Sequence, residues 1–492
     1  MKNVFSFFLL ISLFVTLPFS KMQAQTLNVN MGNVTFSHSS ASTGDMAFAN
    51  GTTLTIEGRT YNISDISSIT VDNSSVAPST VNVAYDGASA KVVVAGNIAK
   101  YLTVSATGAN VSIVQSESLQ SEVNYTLSGT SSNGSFFMDG SFKANFTFDN
   151  LSLTNPSGAA VDIEDGKKID ITLVGTNTLT DGAGGSQNAC FYVNGHPEFL
   201  GTGTLNVKGN TKHALSTDEY MMMTSGTINV TGALGDGLHV SQYFKMTGGT
   251  INIQSQGDGI DIGFKGVNKG TKDQYEDNGF AFLGGGTLTI AVTGAASKGL
   301  KADSTVIVTG GTTTISTSGA AYYDTTERDL SSASALKTDG AFTMSAGTLT
   351  LSSTGDGGKG LNVTEAITLS GGRLFVTTTG DTYTYSSSLD TKPHGVKTDD
   401  KITISGGEAY VAASQDEGVA FKHELGFAVN GGTLMGIGGK KSTVKSGSQS
   451  YKTYTGVKVS AGGTVSYNGV TYTVPSNYSN SSAFVVVSKP GI

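Results

Sequence analysis

The chain has little cysteine, proline and charge, and it has no tryptophan. Its 492 residues include one cysteine, seven prolines and 14% charged residues. A single cysteine excludes an intrachain disulfide. Serine, threonine, asparagine and glycine dominate while helix-forming residues are scarce, so the backbone must be satisfied mainly by strand pairing and turns. The composition therefore predicts an all-β protein that is stabilised without disulfides.

The sequence also lacks a membrane span. Residues 1–24 begin with Lys2, continue with an apolar run and end on small residues, which predicts a cleaved secretory signal peptide. This run is shorter than the roughly 20 residues of a transmembrane helix, and no later run is comparable. We expect a secreted protein, extracellular or at the cell surface, with the periplasm as an alternative. The net charge of −8 argues against a nucleic-acid partner.

An internal repeat is the clearest signal in the sequence. A Gly-Thr or Gly-Gly corner followed by alternating apolar residues occurs nine times, from TGTLNV at 202 to GGTLMG at 431. The interval is 23 to 25 residues, with three intervals of 35 to 37. Each unit contains three short stretches of period two, such as GLHV, YFKM and TINI, which predicts three strands per turn. We therefore predict a right-handed single-stranded parallel β-helix with loops extruded from some coils.

The pattern changes at both ends of the repeats. Residues 25–77 form a compact β-rich stretch and predict a small N-terminal β module. Residues 78–440 hold the predicted β-helix. Residues 441–492 include TVSYNGVTYTV, which predicts a hairpin. We expect this segment to be a β-rich cap over the last coil, because that coil would otherwise expose a sheet edge.

Two similar turns, GDGLHV at 235 and GDGIDI at 257, raise the possibility of a metal site. In successive coils Asp236 and Asp258 would lie about 4.8 Å apart. Two carboxylates at that spacing repel unless they share a cation, and calcium takes six to eight oxygen ligands, to which Asp261 could contribute. The alternative is that Asp and Gly are present only because they favour turns. The same column, which we expect at a water-accessible corner, begins at His213 and continues after Asp258 with Lys298, Ser334, Lys359, His394 and Glu417.

Cations replace acids further along this surface. They are Lys298, Lys301, Lys337, Lys359, His394 and Lys397. A stripe of cations favours an anionic ligand. Alternatively, Lys301, Lys337 and Lys397 are neutralised by Asp303, Asp339 and Asp399, two residues further on in each case, and these aspartates are further candidate metal ligands.

Two insertions, 319–332 and 380–393, leave the repeats just before this column and should wall in the coil that holds Lys359. They carry Tyr322, Tyr323, Tyr383 and Tyr385. Tyrosine rings stack on sugars in many binding sites, or these four rings pack within their own loops.

The Gly-Gly corners and the units GDGLHV, GDGIDI, KGLKAD and HGVKTD resemble the secreted carbohydrate-binding β-helix proteins of the Cthe_2159 type. The likeness extends over about residues 79–492. It implies a pectate-lyase-like parallel β-helix that binds calcium and acidic polysaccharide such as polygalacturonate, and that is not known to be catalytic. By position, the resemblance assigns Asp236, Asp258 and Asp261 to calcium. Later coils have Lys298, Lys359 and His394 instead of acids, which is a departure from this pattern.

The sequence favours a secreted, calcium-dependent or calcium-stabilised protein, expected to be a monomer, that binds a pectin-like acidic polysaccharide. A calcium-dependent uronate lyase with Lys359 as the base is the first alternative. A surface adhesin or biofilm matrix protein is the second. An enzyme is the less favoured reading, because no acidic cluster lies beside Lys359.

Overall fold

The computed structural model describes residues 25–264 and 278–491. The predicted signal peptide, residues 1–24, lies outside this range. The described chain is almost entirely strand and turn, so the all-β prediction is confirmed. Two short helical segments occur, a 3-10 turn at Ile63–Asp65 and α1 at Gly96–Ala99. No helix within the described ranges has the length and apolarity needed to cross a membrane.

The strands are short at first and lengthen in the early repeats. They are β1 (Thr26–Met31), β2 (Val34–Ser39), β3 (Ala47–Ala49), β4 (Thr53–Ile56), β5 (Arg59–Asn62), β6 (Ser68–Asp72), β7 (Thr80–Asp86), β8 (Ser89–Ala95), β9 (Leu102–Thr107), β10 (Ala109–Gln115), β11 (Val123–Ser131), β12 (Gly134–Asp139), β13 (Ala144–Thr154), β14 (Val161–Val174), β15 (Thr176–Thr180), β16 (Ala189–Gly201) and β17 (Thr204–Gly209).

The middle repeats contain β18 (His213–Thr217), β19 (Met221–Met223), β20 (Thr227–Ala233), β21 (Leu238–Val240), β22 (Phe244–Met246), β23 (Thr250–Ser255), β24 (Ile260–Ile262), β25 (Ala281–Leu283), β26 (Thr287–Val292), β27 (Lys298–Ala302), β28 (Val306–Thr317), β29 (Tyr322–Asp324), β30 (Asp329–Ser331), β31 (Ser334–Thr338) and β32 (Phe342–Ser353).

The last repeats and the C-terminal segment contain β33 (Lys359–Val363), β34 (Ile367–Leu369), β35 (Arg373–Thr378), β36 (Tyr383–Ser386), β37 (Leu389–Thr391), β38 (Val396–Thr398), β39 (Lys401–Ala412), β40 (Phe421–Lys422), β41 (Gly426–Gly438), β42 (Tyr451–Val459), β43 (Thr464–Tyr467), β44 (Val470–Thr473) and β45 (Asn480–Ser488).

Parallel pairing links each repeat to the next. Leu215 pairs with Leu238, Leu238 with Ile260, and Ile260 with Leu300. All four side chains are fully buried. The apolar residue after each corner therefore points inward, as the alternating pattern predicts.

The predicted architecture, a right-handed single-stranded parallel β-helix with three strands per turn, is wrong. Among the residues that the structure describes, the main sheet has 36 strands, of which 12 parallel strands close into a barrel while 24 further strands lie outside it. Strands that run through a glycine corner explain the difference. β28, for example, pairs along one half with β25 and along the other with β26, so faces that we expected to be separate are joined into one hydrogen-bonded sheet.

The Gly-Gly corners need both of their glycines, for different reasons. Gly311, the second glycine of its corner, has φ +73°, a left-handed conformation that residues with a Cβ seldom adopt. A Cβ on Gly310, the first, would lie only 2.3 Å from the carbonyl oxygen of Gly284 one repeat earlier. Glycine therefore allows the chain to turn while neighbouring repeats remain at strand spacing.

The ends of the repeat region carry antiparallel strands. β1 pairs with β2 and β6, and β2 joins the main sheet through β8. At the other end β45 pairs with both β41 and β42. The predicted hairpin is confirmed as β43 and β44. The domain boundaries at 77 and 440 remain predictions.

Candidate functional site

Two parallel rows of side chains, polar at all positions but one, cross the strands that begin each repeat. The inner column consists of the residues two positions before each inward-pointing apolar residue, and the outer row consists of the residues one position after it. The inner column contains His213, Asp236, Asp258, Lys298, Ser334, Lys359, His394 and Val419. The outer row contains Ser216, His239, Asp261, Lys301, Lys337, Asn362, Lys397 and Lys422.

The register of the last repeat differs from the sequence alignment. Val396 pairs with Phe421 and not with Val419. Val419 therefore follows His394 in the inner column, in place of the Glu417 that we aligned there. The same shift adds Lys422 to the outer row, a residue that the alignment missed. Lys422 lies two residues before Glu424 and forms an ion pair with it, so it repeats the Lys-x-acid pattern of the earlier units.

Inner-column side chains connect successive repeats by accepting backbone hydrogen bonds. Asp236 Oδ1 accepts the N–H of Asp258 at 2.9 Å, and Asp258 Oδ1 accepts the N–H of Lys298 at 2.7 Å. His213 Nδ1 accepts the N–H of Asp236 at 3.0 Å. A carboxylate or an imidazole nitrogen at this position thus satisfies a donor that the turn leaves without a strand partner.

The glycines of the two GDG turns are explained by the close approach of neighbouring repeats. None of Gly235, Gly237, Gly257 and Gly259 is left-handed. A Cβ on Gly237 would instead lie 2.6 Å from the carbonyl oxygen of Gly259 in the next repeat. These glycines are needed because neighbouring backbones approach closely, not because the turn requires positive φ.

The acidic end of the site is a dense network of charges. His239 Nδ1 lies 3.1 Å from Asp236 Oδ2 and 3.4 Å from Asp261 Oδ2. Hydrogen bonds to Asp236 and then Asp261 raise the pKa of His239 to about 9. Burial alone would raise the pKa of Asp236, but the contacts of its carboxylate with the imidazoles of His213 and His239 lower it well below its usual range. At neutral pH this network holds a protonated His239 between two carboxylates.

Asp258 is the exception among these acids. Burial raises its pKa to about 6, in spite of the backbone hydrogen bond from Lys298. Asp261, by contrast, has a lowered pKa, because His239 and Lys301 together outweigh its burial. Lys301 Nζ lies 2.9 Å from Asp261 Oδ1.

The later lysines of the outer row form ion pairs with the acids two residues further on. The Nζ–Oδ1 distances are 3.4 Å for Lys301 and Asp303, 3.0 Å for Lys337 and Asp339, and 2.7 Å for Lys397 and Asp399. The lysine side chains are half-buried and the acids are more exposed. These three repeats therefore each present a cation and an anion side by side, whereas the repeat between Lys337 and Lys397 has Asn362 at the lysine position.

Lys359 lies in a closed pocket, although the inner column was expected to reach water. Only 6% of Lys359 is exposed, and His394 and Ser334 are also buried. Its Nζ donates to Thr391 Oγ1 at 2.6 Å, Ser332 Oγ at 2.9 Å and the carbonyl oxygen of Gly357 at 3.1 Å. Burial, followed by the charges of Lys397 and Lys298, lowers the pKa of Lys359 to about 7.

The two insertions form the walls of this pocket. Each is a two-stranded hairpin, β29 with β30 and β36 with β37. The rings of Tyr323 and Tyr385 stack across the two hairpins at 4.0 Å. Tyr322 and Tyr385 are exposed, whereas Tyr323 and Tyr383 are half-buried. Two of the four predicted sugar-stacking tyrosines thus contact each other face to face.

The predicted calcium ligands do not form an oxygen cage. Asp236, Asp258 and Asp261 already bond to backbone N–H groups, imidazoles or a lysine, and Asp303, Asp339 and Asp399 are each paired with an ammonium group. Calcium requires six to eight oxygens. The side chains in this arrangement do not fit a calcium ion, and calcium binding stays a prediction.

The chain belongs to the family described as carbohydrate-binding domain-containing protein. The family model matches residues 100–382, more than half of the chain, and this range includes both rows from His213 to Lys359. The resemblance to carbohydrate-binding proteins is therefore confirmed.

A solved structure described as the polysaccharide lyase-like protein from C. thermocellum, gadolinium derivative, is similar at 21% identity and a TM-score of 0.42. The match covers 54% of this chain and 96% of that one. No curated protein matches the chain.

Proposed function

We propose that the chain binds an acidic polysaccharide along the cationic end of the outer row. The observation that supports this is the recurrence of Lys301, Lys337, Lys397 and Lys422 at equivalent positions of a carbohydrate-binding family member. Neighbouring repeats are spaced at about 4.8 Å. A polymer that lies along the row would meet a lysine at most successive repeats, with Asn362 between Lys337 and Lys397, and many weak contacts would add up to useful affinity.

The ion pairs of the outer row are compatible with ligand binding. An exposed Lys–Asp pair contributes only about 0 to 1 kcal/mol, so a ligand carboxylate can replace the aspartate at little cost. The released aspartate can then accept hydrogen bonds from sugar hydroxyls, and the ammonium donates to the uronate. A row of alternating cations and anions thus suits a polymer that carries both carboxylates and hydroxyls.

Affinity measurements with polygalacturonate and with an uncharged glucan test the proposal. We expect saturable polygalacturonate binding that weakens with salt, and at least tenfold weaker binding for the double variant Lys337→Met and Lys397→Met. Lys452→Met, an exposed lysine on β42, is the matched control and should bind normally. Equal affinity for the uncharged glucan, or full affinity in the double variant, would contradict the proposal. Repeating the titration with a chelator tests the predicted calcium dependence.

A uronate lyase is the second candidate, because one observation favours it. A lysine with a pKa of about 7 is a suitable base near neutral pH. The hairpins would first have to open, since the amine is buried and bonded to three acceptors. Release of ultraviolet-absorbing unsaturated uronate by the wild type, and its loss in Lys359→Met, would establish this activity. The adhesin alternative becomes preferable if no glycan binds.

A further inference from the structure

We propose that His213, Asp236 and His239 bind a divalent transition-metal ion at the acidic end of the two rows. One donor atom from each residue lies within 4.8 Å of the other two. The three residues come from adjacent repeats, and parallel pairing holds their strands in register. The proposal is independent of glycan binding, since it involves none of the outer-row lysines.

The distances fit a small ion. Each imidazole Nδ1 lies 3.1 Å from Asp236 Oδ2. Ligand atoms about 2.1 Å from a shared ion are separated by about 3.0 Å at a right angle and about 3.4 Å at the tetrahedral angle. The imidazole rings of His213 and His239 stack with their centroids 4.6 Å apart and an interplanar angle of 21°. The Nδ1 atoms of both rings lie near the same carboxylate oxygen, and an ion that binds there displaces the proton of His239.

The donor types select the class of metal. Imidazole nitrogen suits zinc, cobalt, nickel, copper and iron, while calcium prefers a shell made of oxygens. The group of donors that lie within 4.8 Å of one another comprises two imidazole nitrogens and one carboxylate oxygen, and it does not include Asp261. Three protein ligands with one position left for water form a donor set for a four-coordinate ion.

The hydrogen bonds around Asp236 orient its carboxylate and compete for one imidazole. The lone pair of His213 Nδ1 accepts the N–H of Asp236, so an ion bound at this nitrogen would have to replace that hydrogen bond. The same nitrogen lies 3.1 Å from Asp236 Oδ2, close enough for both atoms to reach one ion. The N–H of Asp258 fixes the other oxygen, which orients the carboxylate for binding.

Titration of the chelator-treated full chain with Zn²⁺, and with Co²⁺ as a spectroscopic probe, tests the site. We expect one Zn²⁺ per chain, and a visible Co²⁺ absorption band that Zn²⁺ displaces and Ca²⁺ does not. His239→Gln should weaken Zn²⁺ binding by about 100-fold or more, because even residues that only orient metal ligands contribute about 10- to 100-fold. His239 is half-exposed, so this variant should fold.

The matched control is His423→Gln. His423 Nε2 lies 2.9 Å from the carbonyl oxygen of Thr443, several repeats away from the proposed site. This variant should bind Zn²⁺ as the wild type does. The proposal is overturned if no saturable Zn²⁺ binding occurs, if Ca²⁺ displaces Co²⁺, or if His239→Gln binds Zn²⁺ with unchanged affinity.

Discussion

Replacing the buried Lys359 by methionine should remove a specific pH dependence of stability. The pKa of this lysine falls from an ordinary value of 10.5 to about 7 in the folded chain, mainly because of burial. Between these values the unfolded chain binds one proton more than the folded chain. The free energy of unfolding therefore rises with pH in this window, and the stability that the neutral amine provides is lost as the pH falls towards 7.

The expected magnitude follows from the slope. One extra proton in the unfolded state changes the free energy of unfolding by about 1.4 kcal/mol per pH unit. Between pH 7 and pH 9 the free energy of unfolding of the wild type should therefore rise by up to roughly 3 kcal/mol relative to that of Lys359→Met. Only the difference between the two proteins matters, because all other titrating groups are common to both. Methionine has a similar length to lysine but cannot donate to the three oxygen atoms that accept from Lys359 Nζ. This loss lowers the free energy of unfolding by an amount that does not vary with pH.

Urea unfolding at pH 6, 7, 8 and 9 provides the measurement. Lys337→Met is the control, because Lys337 is half-exposed beside Asp339 and its loss should produce no comparable slope. The reasoning is refuted if the free energies of unfolding of the wild type and Lys359→Met differ by an amount that stays constant within about 0.5 kcal/mol from pH 7 to pH 9. It would mean that the amine remains protonated in the folded chain and that the pocket contains a counter-charge.

Three further predictions concern the contacts between repeats. Asp258→Ala should lower the free energy of unfolding by about 1 to 3 kcal/mol, because the N–H of Lys298 loses its acceptor. Asp258→Asn keeps an acceptor oxygen, so its loss should be smaller. Equal losses for the two variants in thermal or urea unfolding would contradict this. Tyr385→Ala should remove about 0.5 to 1.5 kcal/mol of ring stacking on Tyr323. It should also speed the reaction of Lys359 with an amine reagent, and an unchanged rate would be inconsistent with a pocket closed by the hairpins. Gly237→Ala should lower the melting temperature by several degrees, since its Cβ would lie 2.6 Å from a carbonyl oxygen; a neutral effect would show that the repeats can separate locally.

Local patterns predicted those features that depend on one repeat and its neighbour. The inward positions of Leu215, Leu238 and Ile260 follow from alternation, and their pairing follows from the repeat interval. The positions of the corners follow from the Gly-Thr and Gly-Gly signal, whereas the left-handed glycine at most of them was identified only in the structure. The closure of the sheet does not follow, because it depends on whether hydrogen bonding continues through a corner, as it does along β28. The composition of a corner does not determine this.

The last repeat shows why register can be misread. Val419 and Phe421 are both apolar and lie two residues apart, so either one matches an alternating pattern. Pairing with Val396 selects Phe421. The burial of Lys359 escaped prediction for a related reason. Its exposure depends on how two insertions fold over it, and their sequences give no distance between Ser332, Thr391 and the amine.

The two GDG turns combine a structural role with a chemical one. In both, the aspartate accepts the N–H of the next repeat, so one carboxylate oxygen is committed to the fold. The second oxygen of Asp236 faces two imidazoles, whereas Asp258 is buried with a raised pKa. The two turns are therefore not equivalent, although their sequences are almost the same. If a metal binds, Asp236→Asn should weaken Zn²⁺ binding as His239→Gln does, whereas Asp258→Asn should leave it nearly unchanged. Equal losses in the two aspartate variants would instead favour an ion shared between the two carboxylates, as first predicted for calcium.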